Sequence, residues 1–321
     1  MTFDAARDHW EFFRAQTGAV LEKAGNRRMS ALEQLQQNVA EEQKKLRAER
    51  PTIVLGVPGY GLGHDGFWAG FLAHASDNKE VDVARIKFTN SLLGRSFNHV
   101  YAEAIYAAET NPNVTHFAML HTDVSPGRYW LDVLWEECQR LQADILSVVI
   151  PIKSPEGLTS TAIDNPEDSW QPKRRLTMTE VMGLPETFDA SDLVKAGFNP
   201  DNDLLLVNTG CMIVDIRKDW THALDENDCL RCYFTVDDRV QKQEDKKYCV
   251  SVIPEDWNFC RSACSVDPDV RIFATRKVRI EHRGDASYCN DQAWGAWTYD
   301  RESLGVQPEL EEQEEEQRIA G

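Results

Sequence analysis

The chain lacks long apolar runs, an excess of positive charge and a second C-x-x-C motif that would complete a zinc site. Its longest apolar run, residues 145–152, is strand-sized and far below the roughly 20 residues that a membrane-spanning helix needs. The opening residues MTFDAARDHW contain early acidic residues and no apolar core, so we expect no secretory signal. We therefore expect a cytoplasmic protein without a membrane span.

Positive charge is scarce. The 35 Lys and Arg residues face 53 Asp and Glu residues, which gives a net charge of -18. Such a surface repels phosphate backbones, so duplex nucleic acid is a poor default partner. Six Glu and one Arg lie in residues 307–321, and residues 306–321 are expected to form a disordered acidic tail.

The cysteines do not form a zinc motif. Cys229 and Cys232 are the one C-x-x-C pair, and no second pair follows at zinc-finger spacing. In a cytoplasmic chain we expect the eight cysteines to be ordinary structural thiols.

Residues 1–50 form a separate helical extension in the sequence pattern. Apolar residues recur at helical spacing in residues 3–24, and Ser30 with Glu33 forms a capping box that opens a second helix. A helical hairpin on the main domain is the favoured interpretation. The alternative is a short coil that joins two chains in a homodimer, although the heptads are few.

From residue 51 the pattern alternates between strands and helices. Apolar runs predict strands at 52–57, 81–88, 114–120 and 144–150, and helical spacing predicts helices at 66–75, 95–109 and 129–141. This alternation predicts an α/β fold with a mainly parallel sheet flanked by helices, over residues 51–305. Ligands of such sheets bind beyond the carboxyl ends of the strands, in the loops after Val57, Phe88 and Leu120.

The second half of the domain has weaker signals. Residues 151–203 are rich in Pro, Asp, Ser and Thr without a period, which predicts a long variable loop region. Residues 204–216 predict strand, turn and strand, residues 255–264 a short helix, and residues 270–282 a pair of strands.

Three groups of side chains are suited to chemistry. His121 and Asp123 follow the predicted strand 114–120 at alternate positions, so both point the same way as potential metal ligands. Glu255 and Asp256 open a short helix whose dipole favours their charged forms. His282 lies at the end of a strand. The alternatives are structural: the acids cap helices, and each histidine packs in the core.

Taken in chain order, these segments resemble the nucleotide-sugar glycosyltransferases of GT-A type. The matching segments are a strand followed by HTD, then NTG at residues 208–210, then PEDWNFC at 254–260, and finally a late His-x-Gly ending at Gly284. Residues 91–98 also resemble the helix start that small members place upstream of their D-x-D strand, with Asn98 matching and Phe97 in place of the usual Arg. The resemblance covers about residues 52–284, and it implies a GT-A-like, Rossmann-like sheet.

The resemblance implies a metal-dependent site. Asp123 matches the final acid of D-x-D and would bind Mn²⁺, or else Mg²⁺, together with His282. His121 replaces the first Asp of the motif, which puts its nucleotide contact in doubt. Asp256 would act as the base in an inverting enzyme, with Glu255 as the second candidate. In a retaining enzyme these acids would bind sugar hydroxyls instead.

The remaining expected contacts also come from the resemblance. The donor would be a UDP- or GDP-linked sugar. Its diphosphate, nucleoside and sugar would be bound by Pro58, Gly59, Tyr60, Arg95, Asn98, His121, Asp123, Asn208, Thr209 and Gly210. The acceptor would present a hydroxyl on a saccharide, a protein or a modified nucleobase of DNA, with the basic residues 173–175 as an anion-binding candidate.

Two other functions stay open. A nucleotidyltransferase also uses metal and carboxylates at a sheet edge, but its glycine-rich loop carries basic residues, and the turn at 59–63 has none. A catalytically silent sugar- or protein-binding module on the same scaffold would need none of the chemistry that Asp123, Asp256 and His282 supply.

Overall fold

The structure, a computed structural model, describes residues 50–59, 76–77, 80–243, 247–284, 286–295 and 297. The chain divides into two compact units between Arg50 and Pro51, and apart from Arg50 the described residues belong to the second unit. The predicted helices at 3–24, 30–46 and 66–75, the acidic tail and Tyr60 lie outside the described residues.

The described part of the chain alternates strands with helices. The strands are β1 (Thr52–Gly59), β2 (Asp82–Thr89), β3 (Val114–Leu120), β4 (Val124–Pro126), β5 (Ile145–Val148), β6 (Leu158–Ile163), β7 (Arg174–Thr177), β8 (Thr187–Phe188), β9 (Leu205–Leu206), β10 (Cys211–Asp215), β11 (Asp237–Lys242), β12 (Tyr248–Ile253), β13 (Ile272–Thr275), β14 (Ile280–Arg283) and β15 (Ser287–Cys289). The helices are α1 (Leu93–Thr110), α2 (Trp130–Leu141), α3 (Met178–Met182), α4 (Ala190–Lys195), α5 (Asp219–His222) and α6 (Glu255–Val266).

A seven-stranded sheet in the order β2-β1-β3-β10-β5-β13-β8 forms the centre of the fold. The pairs β1–β2, β1–β3 and β5–β13 are parallel, whereas β10 is antiparallel to both β3 and β5, and β8 is antiparallel to β13. The fold is therefore α/β, as predicted: β2, β1, β3, β5 and β13 run in one direction, and β10 and β8 run in the opposite direction, so the sheet contains antiparallel as well as parallel pairs. The cause is β10, which starts at the edge where β3 ends, with Cys211 opposite Leu120.

Helices cover both faces of this sheet because the strands β1, β3, β10 and β5 are buried on both sides. Along β1, Val54 belongs to one core, and Ile53 and Leu55 belong to the other. Helix α1 buries Phe97 and its apolar neighbours in the first core, and α2 buries Trp130 and its neighbours in the second. No helix within the described ranges is long and apolar enough to cross a membrane.

The segment 151–203 is not the variable loop that its composition predicts. Strand β6 pairs with β7 and β9 in a second sheet, and the short helices α3 and α4 lie between β7 and β9 in the chain. Its polar residues are used as caps: Thr177 with Glu180 opens α3, and Asp189 with Asp192 opens α4. Elements this short show no period in the sequence, which is why the prediction failed.

The predicted strand pair at 270–282 also separates. Strand β13 joins the central sheet, whereas β14 lies between β4 and β15 in a three-stranded sheet. Strand β4 directly follows His121 and Asp123, so this small sheet joins a late segment of the chain to the end of β3. The strands β11 and β12 form a separate antiparallel hairpin.

Candidate active site

The site begins where β3 ends. All seven residues of β3 are buried, and the chain turns immediately afterwards, with the Val124 amide bonded to the His121 carbonyl at 3.2 Å. The His121 amide donates to the carbonyl of Gly210 at 2.8 Å, which ties the turn to the start of β10. Asp123 therefore lies at the carboxyl edge of the sheet, where the sequence predicted a ligand.

Strand β14 brings His282 to this edge. His282 pairs with Val124 across the small sheet, and the Arg283 amide donates to the Asp123 carbonyl at 2.9 Å. The distance between Asp123 Oδ2 and His282 Nε2 is 3.4 Å. The two side chains proposed as metal ligands from the sequence therefore lie side by side, although most of the domain separates them in the chain.

The hydrogen bonding of His282 fixes which of its ring nitrogens faces Asp123. Its Nδ1 lies 2.8 Å from the carbonyl oxygen of Pro151, and a carbonyl can only accept. Nδ1 therefore carries a hydrogen, and Nε2 is the ring nitrogen that faces the Asp123 carboxylate. The carboxylate oxygen and this ring nitrogen need a cation or a proton between them.

A lysine that the sequence analysis missed also reaches Asp123. Lys153 Nζ lies 2.5 Å from Asp123 Oδ2, and both side chains are about one-third exposed. Lys153 follows β5, which is antiparallel to β10 just as β3 is, so β5 and β3 end at the same edge. The rule that selected the loops after Val57, Phe88 and Leu120 also covers the loop after β5, but nothing in the local sequence singles out Lys153 within that loop.

The surroundings stabilise the charged form of Asp123. Burial by itself favours the neutral acid, but the hydrogen bonds from His282 and Lys153 outweigh it. These contacts hold the pKa of Asp123 well below its usual range. The carboxylate is thus ready to bind a cation.

His121 occupies the first position of the motif as a packed, neutral ring. It stacks on Phe97 with ring centroids 4.7 Å apart, and its Nε2 lies 3.3 Å from the hydroxyl of Thr209. Burial lowers the pKa of His121 to about 4, although the charge of Asp123 opposes the change. Its contact with Thr209 joins two of the predicted nucleotide-sugar residues.

Asn208 and Gly210 hold the turn before β10. The side-chain nitrogen Nδ2 of Asn208 donates to the Val148 carbonyl at 2.6 Å, and its side-chain oxygen Oδ1 accepts from the backbone amide of Gly210 at 3.0 Å. Both residues are buried, and a Cβ at position 210 would lie 2.6 Å from Ile150 Cδ1. These contacts hold the protein's own backbone. The burial of Asn208 and Gly210 therefore does not support their predicted contact with a sugar.

The residues that were predicted to contact the phosphates and the base differ in their exposure and in their partners. Arg95 is exposed in the first turn of α1. Asn98 instead uses both atoms of its amide on the backbone of Phe234, at 2.7 and 2.8 Å, so its role in the structure is to hold that segment. Pro58 and Gly59 are buried at the carboxyl end of β1.

Glu255 and Asp256 open helix α6, where both residues are half-buried. Burial raises the pKa of Asp256 to about 8, the nearby charge of Glu255 adds to the effect, and Arg175 opposes it. Burial likewise raises the pKa of Glu255. A carboxyl group with such a pKa accepts a proton near neutral pH, which is the property of a general base.

A short series of hydrogen bonds connects the start of α6, which carries Asp256, to the Asp123–His282 pair. Trp257, next to Asp256, donates from its ring to the Ser160 carbonyl at 3.0 Å, and the Ser160 amide donates to Ile150 at 3.0 Å. The next carbonyl, that of Pro151, is the one that binds His282. Residues 150–151 therefore support both the Asp123–His282 pair and the start of α6.

The basic residues 173–175 are paired with acids or stacked. Lys173 contacts Asp201 and Asp203 at 2.9 and 2.6 Å, and Arg174 pairs with Glu180. Arg175 stacks over the ring of Trp257 at 4.6 Å, next to Asp256. Arg175 is the member of this group that lies at the site.

No group of three or more His, Cys, Asp and Glu side chains suited to a metal occurs in the part of the chain that the structure describes. The donor set for a metal is the pair Asp123 and His282. One carboxylate and one oriented imidazole fit a cation that takes its other ligands from phosphate oxygens and water.

No protein-family model and no curated protein sequence matches this chain. Among solved structures, the chain is similar to the crystal structure of A197 from STIV. The two share 11% sequence identity and a TM-score of 0.43, over 75% of this chain and 91% of A197.

Proposed function

We propose that this chain is a metal-dependent glycosyltransferase of GT-A type that moves a sugar from a UDP- or GDP-linked donor to a hydroxyl acceptor. The observation that carries the proposal is the contact of Asp123 with His282, whose Nδ1 is engaged by Pro151 so that Nε2 faces the carboxylate. This arrangement suits a cation that binds a diphosphate.

Asp123 and His282 would hold Mn²⁺, or else Mg²⁺. When bound, such an ion supplies Lewis-acid stabilisation to the diphosphate that leaves the sugar. The protein's own contribution is to fix both ligands before the donor arrives. The hydrogen bond from His282 to Pro151 orients the ring, and the backbone bond between Arg283 and Asp123 fixes the turn.

Asp256 supplies the proton acceptor in an inverting reaction. The acceptor oxygen bonds to the anomeric carbon, the bond from that carbon to the diphosphate breaks, and the hydroxyl proton moves to the Asp256 carboxylate. Burial and the neighbouring Glu255 make Asp256 a stronger base than an exposed carboxylate. Arg175, at the same place, offers a positive charge to an acceptor or to the donor sugar.

The test is the melting temperature of the protein with UDP or GDP, in MnCl₂ and in EDTA. We expect the wild type to gain stability with nucleotide mainly when Mn²⁺ is present, since a ligand at about 100 times its Kd adds about 2.7 kcal/mol. Asp123→Asn removes the negative charge and is expected to lose the Mn²⁺-dependent part. Glu136→Gln, an exposed acid on α2, is the control and is expected to behave as the wild type.

Equal shifts in Mn²⁺ and EDTA would rule out the metal role. Slow hydrolysis of the donor without an acceptor separates the enzyme from a silent binding module, because only the enzyme cleaves the sugar–phosphate bond. A panel of UDP- and GDP-sugars in the same assay identifies the donor. Release of pyrophosphate from a nucleoside triphosphate would point to a nucleotidyltransferase instead.

A further inference from the structure

Lys153 stands at the carboxylate oxygen that the proposed metal would use. Its ammonium lies 2.5 Å from Asp123 Oδ2, and the same oxygen faces His282 Nε2 at 3.4 Å. A cation shared by Asp123 and His282 would therefore lie against the ammonium group. Two positive charges so close repel each other, and partial burial weakens the screening by water.

The fold makes room for this lysine. A Cβ at position 284 would lie 3.0 Å from Lys153 Cδ and 3.5 Å from its Cγ, so the lysine stem packs directly on the backbone of Gly284. The loop that carries Lys153 is fixed on both sides, because the Ile152 amide donates to Leu158 and the Ser154 amide donates to Ile152, each at 2.9 Å. The contact with Asp123 thus belongs to the architecture of the site.

We infer that Lys153 is a built-in cation that competes with the divalent metal for Asp123, so that the metal binds well only together with a diphosphate. This inference rests on the proposed function. The diphosphate offers the displaced ammonium a new anionic partner, and the metal then takes the carboxylate. By linkage, diphosphate and metal each raise the affinity for the other.

The experiment measures Mn²⁺ binding alone, by the loss of the free Mn²⁺ signal in electron paramagnetic resonance. Lys153→Met keeps a long stem on Gly284 and removes the charge. We expect it to bind Mn²⁺ about tenfold more tightly than the wild type without nucleotide, because a like charge beside the site is gone. Adding UDP is expected to tighten Mn²⁺ binding in the wild type much more than in Lys153→Met.

Two variants serve as controls. Lys153→Arg keeps the positive charge and is expected to keep the weak Mn²⁺ affinity of the wild type. Lys173→Met removes a lysine whose partners are Asp201 and Asp203, away from Asp123, and is expected to change nothing. Circular dichroism and melting curves check that each variant is folded.

The outcomes separate this inference from the proposed function. If Lys153→Met and the wild type bind Mn²⁺ equally, with the same gain from UDP, competition by Lys153 is refuted while the metal site stands. If neither protein binds Mn²⁺ even with UDP, the metal role in the proposed function fails, and the inference fails with it.

Discussion

Asp256 is the residue whose charged form the fold disfavours most clearly among the candidate site residues. Its pKa rises to about 8 through burial and the charge of Glu255. Between the ordinary value of 3.8 and about 8, the folded state keeps a proton that the unfolded chain has released. Folding stability therefore falls as pH rises through this window, and the contribution is complete only below it.

Asp256→Asn tests both the burial and the role of this carboxyl. The amide cannot ionise, so the melting temperature of the variant relative to the wild type is expected to rise between about pH 5 and pH 8, each pKa unit being worth about 1.4 kcal/mol. The same variant is expected to lose sugar transfer while it keeps donor binding. A difference in melting temperature that is constant with pH would show that Asp256 is not buried as a neutral acid.

At the scale of elements, helix α1 packs closely on strands β1 and β3 of the central sheet. A Cβ at Gly56 in β1 would lie 2.8 Å from both Phe117 Cε2 of β3 and Val100 Cγ2 of α1. Glycine at this position allows the helix to approach the strand closely. The contact positions α1, and with it Arg95 and Asn98.

Gly56→Ala is expected to destabilise the protein by about 1–3 kcal/mol, because the added methyl group crowds a packed core. Gly94→Ala is the matched control, since nothing lies within 4 Å of its added Cβ in the first turns of α1. It is expected to be neutral or to stabilise by up to about 1 kcal/mol through helix propensity. Denaturant unfolding of both variants provides the measurement, and equal free energies would refute the packing.

Several helices and strands could be predicted from the sequence alone. Strand β3 has the predicted bounds, and α1, α2 and α6 lie within about two residues of theirs, because long runs of periodic apolar residues define them. The direction of β10 and the short elements of 151–203 depend on contacts with distant segments, which no local pattern contains. Asn98 is an example: it matches a family motif, yet its amide serves Phe234, which is remote in the chain.

The site could be predicted in part for the same reason. Asp123 and His282, which the sequence analysis paired as metal ligands, lie 3.4 Å apart, and their binding of a metal stays a prediction. Lys153 was missed because a lysine in a polar loop carries no local signal of its own. The sheet order, in which β10 lies between β3 and β5 and is antiparallel to both, brings the end of β5 to the same edge as the end of β3.

At the scale of the whole molecule, two glycines join the end of the described chain to the loop of Lys153. A Cβ at Gly157 would lie 2.1 Å from the carbonyl oxygen of Trp294 and 2.9 Å from Gly295 Cα. Gly157 and Gly295 both have positive φ angles, +80° and +96°. The backbones therefore cross in direct contact, and only residues without a side chain permit it.

Gly157→Ala is expected to cost more stability than Gly197→Ala. Gly197 has the same φ of +80° but nothing within 4 Å of an added Cβ, so its variant reports the backbone strain alone, about 1–2 kcal/mol. The crossing adds about 1–3 kcal/mol of crowding at Gly157. Thermal and denaturant unfolding compare the two, and equal losses would contradict the crossing.

The position of β14 has a consequence for biosynthesis. All seven strands of the central sheet precede it in the chain, so the ribosome releases the Asp123 half of the site long before the His282 half. A chain that ends between Thr275 and Ile280 would retain every strand of the central sheet, but it would contain Asp123 without His282. The Asp123–His282 pair can therefore form only after all seven strands of the central sheet have left the ribosome.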